Sequence, residues 1–154
     1  MTCQISISVR QADFSLEEEA KRLRAGNSTG ALVTFSGLVR DMHENEEVEA
    51  LFLEHYPGMT EASLQAIAAA AAERWPLQAI SILHRIGTLH AGEQIVFVGV
   101  ASAHRAAAFS ACEFLMDYLK TRAPFWKKSL QAGKESWVEA KTSDAKAAQR
   151  WQTD

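Results

Sequence analysis

Apolar residues recur along the chain at two spacings, and the changes from one spacing to the other mark most of its elements. Residues 3–9 alternate apolar and polar side chains, with Cys3, Ile5, Ile7 and Val9 on one side, and predict a strand. Ser15-Leu-Glu-Glu18 is a capping-box pattern opening a short helix to about Arg24, and Gly26-Asn-Ser-Thr-Gly30 is a turn. Residues 31–37 predict a second strand. The charged segment 40–47 has no period and reads as a mobile loop able to serve as a lid. Residues 49–56 predict a strand ended by Pro57-Gly58, after which Thr60 caps a helix running through Leu64, Ile67 and a run of alanines to Trp75. Alanine is the best helix former, so that biased run is ordered helix. Pro76 stops it, and residues 79–86 and 94–100 predict two strands joined by the link 87–92.

The second of these strands runs into a helix. At Ser102-Ala-His-Arg105 the pattern becomes helical, with Ala108, Cys112, Leu115 and Leu119 on one face. Beyond Pro124 two short strands, 125–130 and 136–140, are expected around a turn at Gly133. The tail 142–151 is polar and ends in Trp151, which needs a partner. Six or seven strands and about three helices, joined by hairpin-length links and helix crossovers, predict an α+β fold with a mixed or antiparallel sheet. A chain of 154 residues with 47% hydrophobic content is most simply one domain, spanning 1–154.

Composition narrows the function classes. A net charge of −3 argues against general affinity for nucleic acid or an anionic membrane, so anion binding must come from a local basic cluster. No run of about 18 apolar residues predicts a membrane span, and the N-terminus lacks the basic and apolar regions of an export signal, leaving the cytoplasm as the default location. Cys3 and Cys112 form no Cys-x-x-Cys pattern and read as small buried side chains. His43, His55, His84 and His90 show no metal-ligand spacing and read as surface or packed residues.

Candidate chemistry lies at the two ends of the long helix. Ser102, His104 and Arg105 stand at its start, where unpaired backbone N–H groups and the positive end of the macrodipole favour an anion such as phosphate. Lys120, Arg122, Lys127 and Lys128 lie at or beyond its end. Arg105 and Lys120 are separated by roughly 22 Å of helix, more than one small substrate spans. If both ends serve one site, that site is shared between two copies in a two-fold dimer. Plainer readings stand beside these: His104 as a helix cap, Lys120 as a solvated cap paired with Asp117, and Arg40 as a surface arginine. A lysine becomes an acid or base near neutrality only if desolvation or like charge lowers its pKa, whereas the negative helix end acts the other way.

Leu-Glu-His-Tyr-Pro-Gly-Met (53–59), His-Arg-Ile-Gly (84–87), Ser-Ala-His-Arg (102–105) and Met-Asp-Tyr-Leu-Lys-Thr-Arg-Ala-Pro-Phe-Trp-Lys (116–127) together resemble the large, catalytic subunits of molybdopterin synthases, from about Ala31 to Trp151. The resemblance implies an α/β hammerhead type of architecture in a homodimer. It implies Lys120 and Lys127 as catalytic residues. It places Leu38 (through its backbone), Val39, Arg40, His104, Arg105, Lys128 and Ser129 around the substrate, with Lys141 as a further phosphate contact. Phe125 and Trp126 read from the residues as core side chains, with stacking of a pterin ring on an aromatic near Lys127 as the alternative. The implied reaction converts cyclic pyranopterin monophosphate into molybdopterin. Its two dithiolene sulfurs come from the C-terminal thiocarboxylate of a small ubiquitin-like carrier ending in Gly-Gly. No metal or organic cofactor is implied. The alternatives are a non-catalytic phosphate-ligand module and a dimeric scaffold that only docks the carrier.

Overall fold

The computed structural model describes residues 2–24, 26–43, 46–131, 134–138 and 142–152. Two four-stranded sheets carry the fold. The first has the order β1-β6-β8-β2, built from β1 (Gln4–Arg10), β6 (Leu77–Arg85), β8 (Gln94–Ser102) and β2 (Ala31–Leu38). Strand β1 runs parallel to β6, and the other pairs are antiparallel. The second sheet is antiparallel, with the order β10-β9-β5-β7, from β10 (Lys134–Trp137), β9 (Phe125–Gln131), β5 (Ala50–His55) and β7 (Gly87–His90). The α+β class is therefore observed.

Burial explains the central strands. Strands β6 and β8 are buried at nearly every position, because the first sheet is covered on both faces, and they are accordingly mostly apolar on both sides. On one face lie α2 (Met59–Arg74) and α3 (Arg105–Arg122), where Ala68, Ala71, Ala108 and Ala111 are fully buried and allow close packing. On the other face α1 (Leu16–Arg22) covers a smaller cluster of Phe14, Leu23, Leu83 and Phe97. Gly99 sits there because a Cβ would come within 2.4 Å of Leu23 Cδ1.

Several expectations need correction. The segment 40–47 is not without structure: β3 (Met42–His43) pairs antiparallel with β4 (Glu46–Glu47), and residues 44 and 45 lie outside the described residues. The link 87–92 contains strand β7, because Gly87, at φ +85°, turns the chain from the first sheet into the second. Thr60 is not the cap of α2. Gly58, at φ +85°, occupies that position, and its N–H donates to Glu61 Oε1 at 3.0 Å. Thr60 is instead fully buried, its Oγ1 accepting from Tyr56 N–H and donating to the Pro124 carbonyl, both at 3.0 Å. The start of α2 is thereby tied to the turn that follows α3. Ser15 Oγ does accept from Glu18 N–H, as the capping box requires.

The tail forms a fourth helix among the described residues, α4 (Thr142–Gln149), packed on α3. Trp151 finds its partners at the edges of Trp75 and Phe114, and its Nε1 donates to Asp117 Oδ2 at 2.6 Å. Strand β10 begins at Lys134, earlier than expected, while Gly133 and residues 139–141, including Lys141, lie outside the described residues.

Candidate active site

A cavity of about 730 Å³ opens where the C-terminal end of α3 meets the ends of both sheets. Its apolar wall comes from Val39, Val48, Leu51, Ile95, Val96 and Phe125, and its positive groups are Arg40, Lys120 and Lys127, with Asp144 from α4 also lining it. Each cation is delivered by a different element. Arg40 follows the bulge at the end of β2, where the register against β8 shifts between Gly37 and Leu38. At Gly37 a Cβ would approach Val96 Cγ1 to 2.7 Å, so glycine leaves space beside the cavity wall. Lys120 is exposed in the last turn of α3. Lys127 is half-buried on β9, two residues beyond Phe125 and so on the same face of the strand.

The plain reading of Lys120 as a partner of Asp117 is not observed. Asp117 accepts from Arg150 at 2.8 Å and from Trp151, and Arg150 also pairs with Glu113. The alternation of β9 separates Lys128 from Lys127. Lys128 Nζ pairs with Glu135 at 3.3 Å and lies over the Trp137 ring at 4.9 Å, away from the cavity lining. Ser129 is buried, and its Oγ has no hydrogen-bond partner among the described residues. Leu38 lines the cavity and is exposed. Val39 lines it with a buried side chain while its backbone is already engaged, its N–H donating to Glu93 and its carbonyl accepting from Gly92.

His104 and Arg105 are exposed at the other end of α3, and neither lines the cavity. His104 occupies the cap position of α3 with extended backbone and no capping hydrogen bond from its side chain. Ser102, expected to join an anion cradle, is buried, its Oγ donating to the Pro76 carbonyl at 3.1 Å and accepting from His104 N–H. It shapes the strand-to-helix turn and leaves the histidine and arginine as the outward groups.

Sequence reasoning passed over His84. It is 3% exposed, lines the cavity, and stacks on Phe125 with ring centroids 3.9 Å apart. Its Nδ1 lies 2.8 Å from the Arg85 carbonyl, which can only accept, so Nδ1 carries the proton. Burial pushes the imidazole from its ordinary 6.5 down to about 3, against a smaller opposing effect of that carbonyl; the charges of Lys127 and Lys120 add to the fall. His84 is thus neutral beside two lysines. A lone histidine closing the apolar run of 79–83 was the available signal. Asp144 was hidden in the tail, which carried no pattern. Among the described residues no group of three or more His, Cys, Asp or Glu side chains could hold a metal ion.

Comparison with known proteins places the chain among close relatives. The family model described as "MoaE protein" matches residues 9–122. The molybdopterin synthase catalytic subunit of Pseudomonas aeruginosa is 58% identical over 149 residues, covering 96% of this chain and 99% of its own. That of Vibrio cholerae is 57% identical over 146 residues, covering 95% and 97%. Among solved structures, the molybdopterin biosynthesis MoaE protein of Burkholderia ambifaria superposes with a TM-score of 0.83 at 47% identity, covering 98% of this chain and all of that one.

Proposed function

The chain belongs to the MoaE family, and from that premise we propose that it is the catalytic subunit of a molybdopterin synthase. In this reading it converts cyclic pyranopterin monophosphate into molybdopterin with sulfur carried on the C-terminal thiocarboxylate of a small ubiquitin-like protein. The observation that carries the reading is the meeting of Arg40, Lys120 and Lys127 around one cavity, with His104 and Arg105 left facing outward at the far end of the same helix.

A two-fold dimer supplies what one protomer lacks. His104 and Arg105 of one copy complete the cavity of the other, adding a guanidinium fork and a helix N-terminus suited to a phosphate. Arg40 joins them from the cavity's own protomer. Substrate held there is positioned against the carrier's C-terminus, whose extended tail the same cationic cavity attracts. Lys120 and Lys127 then serve the two demands of sulfur transfer: stabilising negative charge as the thiocarboxylate sulfur attacks, and moving protons as the acyl group left behind is hydrolysed. The residues named need no metal for these steps. The cytoplasm is the compartment this reading assigns, and no helix among the described residues is long and apolar enough to cross a membrane.

The test is incubation of the protein with thiocarboxylated carrier and the pyranopterin, following product by mass. Dithiolene product from the wild type and none from K120A, with pyranopterin binding retained, is expected. Equal ligand binding by both proteins and product from neither would favour a non-catalytic module.

A further inference from the structure

Among the polar groups of the cavity that the roles above do not employ, His84 is the one the fold holds in a fixed orientation. His84 is fixed on three sides: Nδ1–H is committed to the Arg85 carbonyl, one ring face is covered by Phe125, and the whole side chain is buried at the end of β6. In the neutral ring its remaining nitrogen, Nε2, can only accept, and the side chain lines the cavity together with Lys120 and Lys127. An acceptor at a cavity wall that also carries two lysines has donors close by. Phe125 and Lys127 project from the same face of β9 about 6.8 Å apart along the strand. A lysine stem of comparable reach can therefore bring Nζ over the ring that Phe125 supports.

We infer that His84 is a positioning residue, whose Nε2 accepts a hydrogen bond from the Lys127 ammonium and holds it toward the cavity. Two consequences follow from elementary chemistry. A neutral acceptor stabilises the charged lysine, so Lys127 keeps its proton and acts as the donor and charge stabiliser. Lys120, exposed at a helix end, has no such acceptor beside it among the described residues. Two like groups with different surroundings thereby take different parts in one reaction. The imidazole suits this task because burial keeps it neutral throughout the physiological range. The other charged or titratable groups around it are Lys120 from α3 and His55 from β5, with Arg40 and Asp144 lining the same cavity.

This assignment of parts rests on the sulfur-transfer reading, but its test does not require turnover. The lysine Nζ signals of protein labelled with ¹³C and ¹⁵N at lysine are followed by NMR against pH in wild type, H84N and H84Q. Asparagine keeps a donor for the Arg85 carbonyl and lacks the far acceptor, whereas glutamine places an amide oxygen near the position of Nε2. The titration midpoint of Lys127 is expected to fall by about one pH unit in H84N and to return most of the way in H84Q, with Lys120 unmoved. H84F, which keeps the stacked ring, gives the same readout if H84N does not fold. In the synthase assay the matching result is a lower kcat with little change in KM, and an alkaline limb displaced by the same amount. A Lys127 midpoint identical in wild type, H84N and H84F would overturn the inference. A wild type that shows the NMR shift and forms no product would overturn the sulfur-transfer reading and leave the His84–Lys127 contact standing.

Discussion

The two ends of α3 carry similar charges in opposite settings. At its start, Arg105 and His104 are exposed and stand outside the cavity at the other end. At its end, Lys120 joins Lys127, Arg40 and the buried His84 around a cavity with an apolar wall. Positive charge in water grips an anion weakly, whereas positive charge beside low-dielectric walls acts strongly on reacting groups. In the synthase reading proposed above the first end holds substrate and the second does chemistry, with roughly 22 Å of helix between them in one protomer.

The sharpest way to break this contrast is to remove the lysine on β9. K127A is expected to lower the rate of product formation by about 10²–10⁴-fold, the range for a positioned proton-transfer group, while pyranopterin affinity measured by fluorescence titration changes little. A large loss of affinity with an unchanged rate would move Lys127 from chemistry to binding. Next comes the pH dependence that only the cavity end should have. The folded-state pKa of His84 is depressed from 6.5 to about 3, so the unfolded chain binds more protons between those values. Stability from this group is complete above about pH 6.5 and is lost as pH falls toward 3. Urea unfolding should show H84F losing less stability than wild type between pH 6.5 and 4, by about 2–3 kcal/mol. Parallel curves for the two proteins would mean that the histidine charges freely in the fold.

At the holding end, R105A is expected to weaken pyranopterin binding by about 10–100-fold, the loss of a charge-assisted hydrogen bond, with a smaller effect on kcat. The effect should shrink at high salt. The smallest change concerns the anchor of α4. Trp151 is half-buried against Trp75 and Phe114, so W151A should cost about 1–2 kcal/mol in thermal unfolding, below the range for a fully buried aromatic. Because α4 brings Asp144 to the cavity, W151A should also disturb catalysis more than the ligand affinity conferred by Arg105.

Much of this was legible in sequence where one physical signal dominated. Strand β8 announced itself through the apolar run from Ile95 to Ala101, β6 through a mostly apolar stretch, and α3 through the spacing of Ala108, Cys112, Leu115 and Leu119, which are all buried. Where tertiary contacts override a local signal, the reading failed. Thr60 has the chemistry of a cap, yet its hydroxyl is claimed by Tyr56 and Pro124, and a glycine at positive φ takes its place. Strand β7 is only four residues long and pairs with a strand far away in sequence, so no local periodicity could reveal it. For the site, the family resemblance rather than the charges alone singled out Arg40, Lys120 and Lys127, and all three line one cavity. Alternation along β9 sets Lys128 on the other face, and His84 was missed because a buried histidine and a functional one look alike until the cavity is known.

The central claim is that one active site takes its phosphate grip from one copy and its lysines from the other, and mixed dimers test it directly. K127A and R105A proteins are unfolded together, refolded and assayed for molybdopterin formation at a pyranopterin concentration far below the weakened affinity of R105A, where each alone forms little product. Every mixed dimer then contains one site with both residues intact, so random pairing should restore about a quarter of wild-type activity. No recovery from a preparation shown by mass to contain the mixed dimer would place both residues in the same protomer's site and contradict the account.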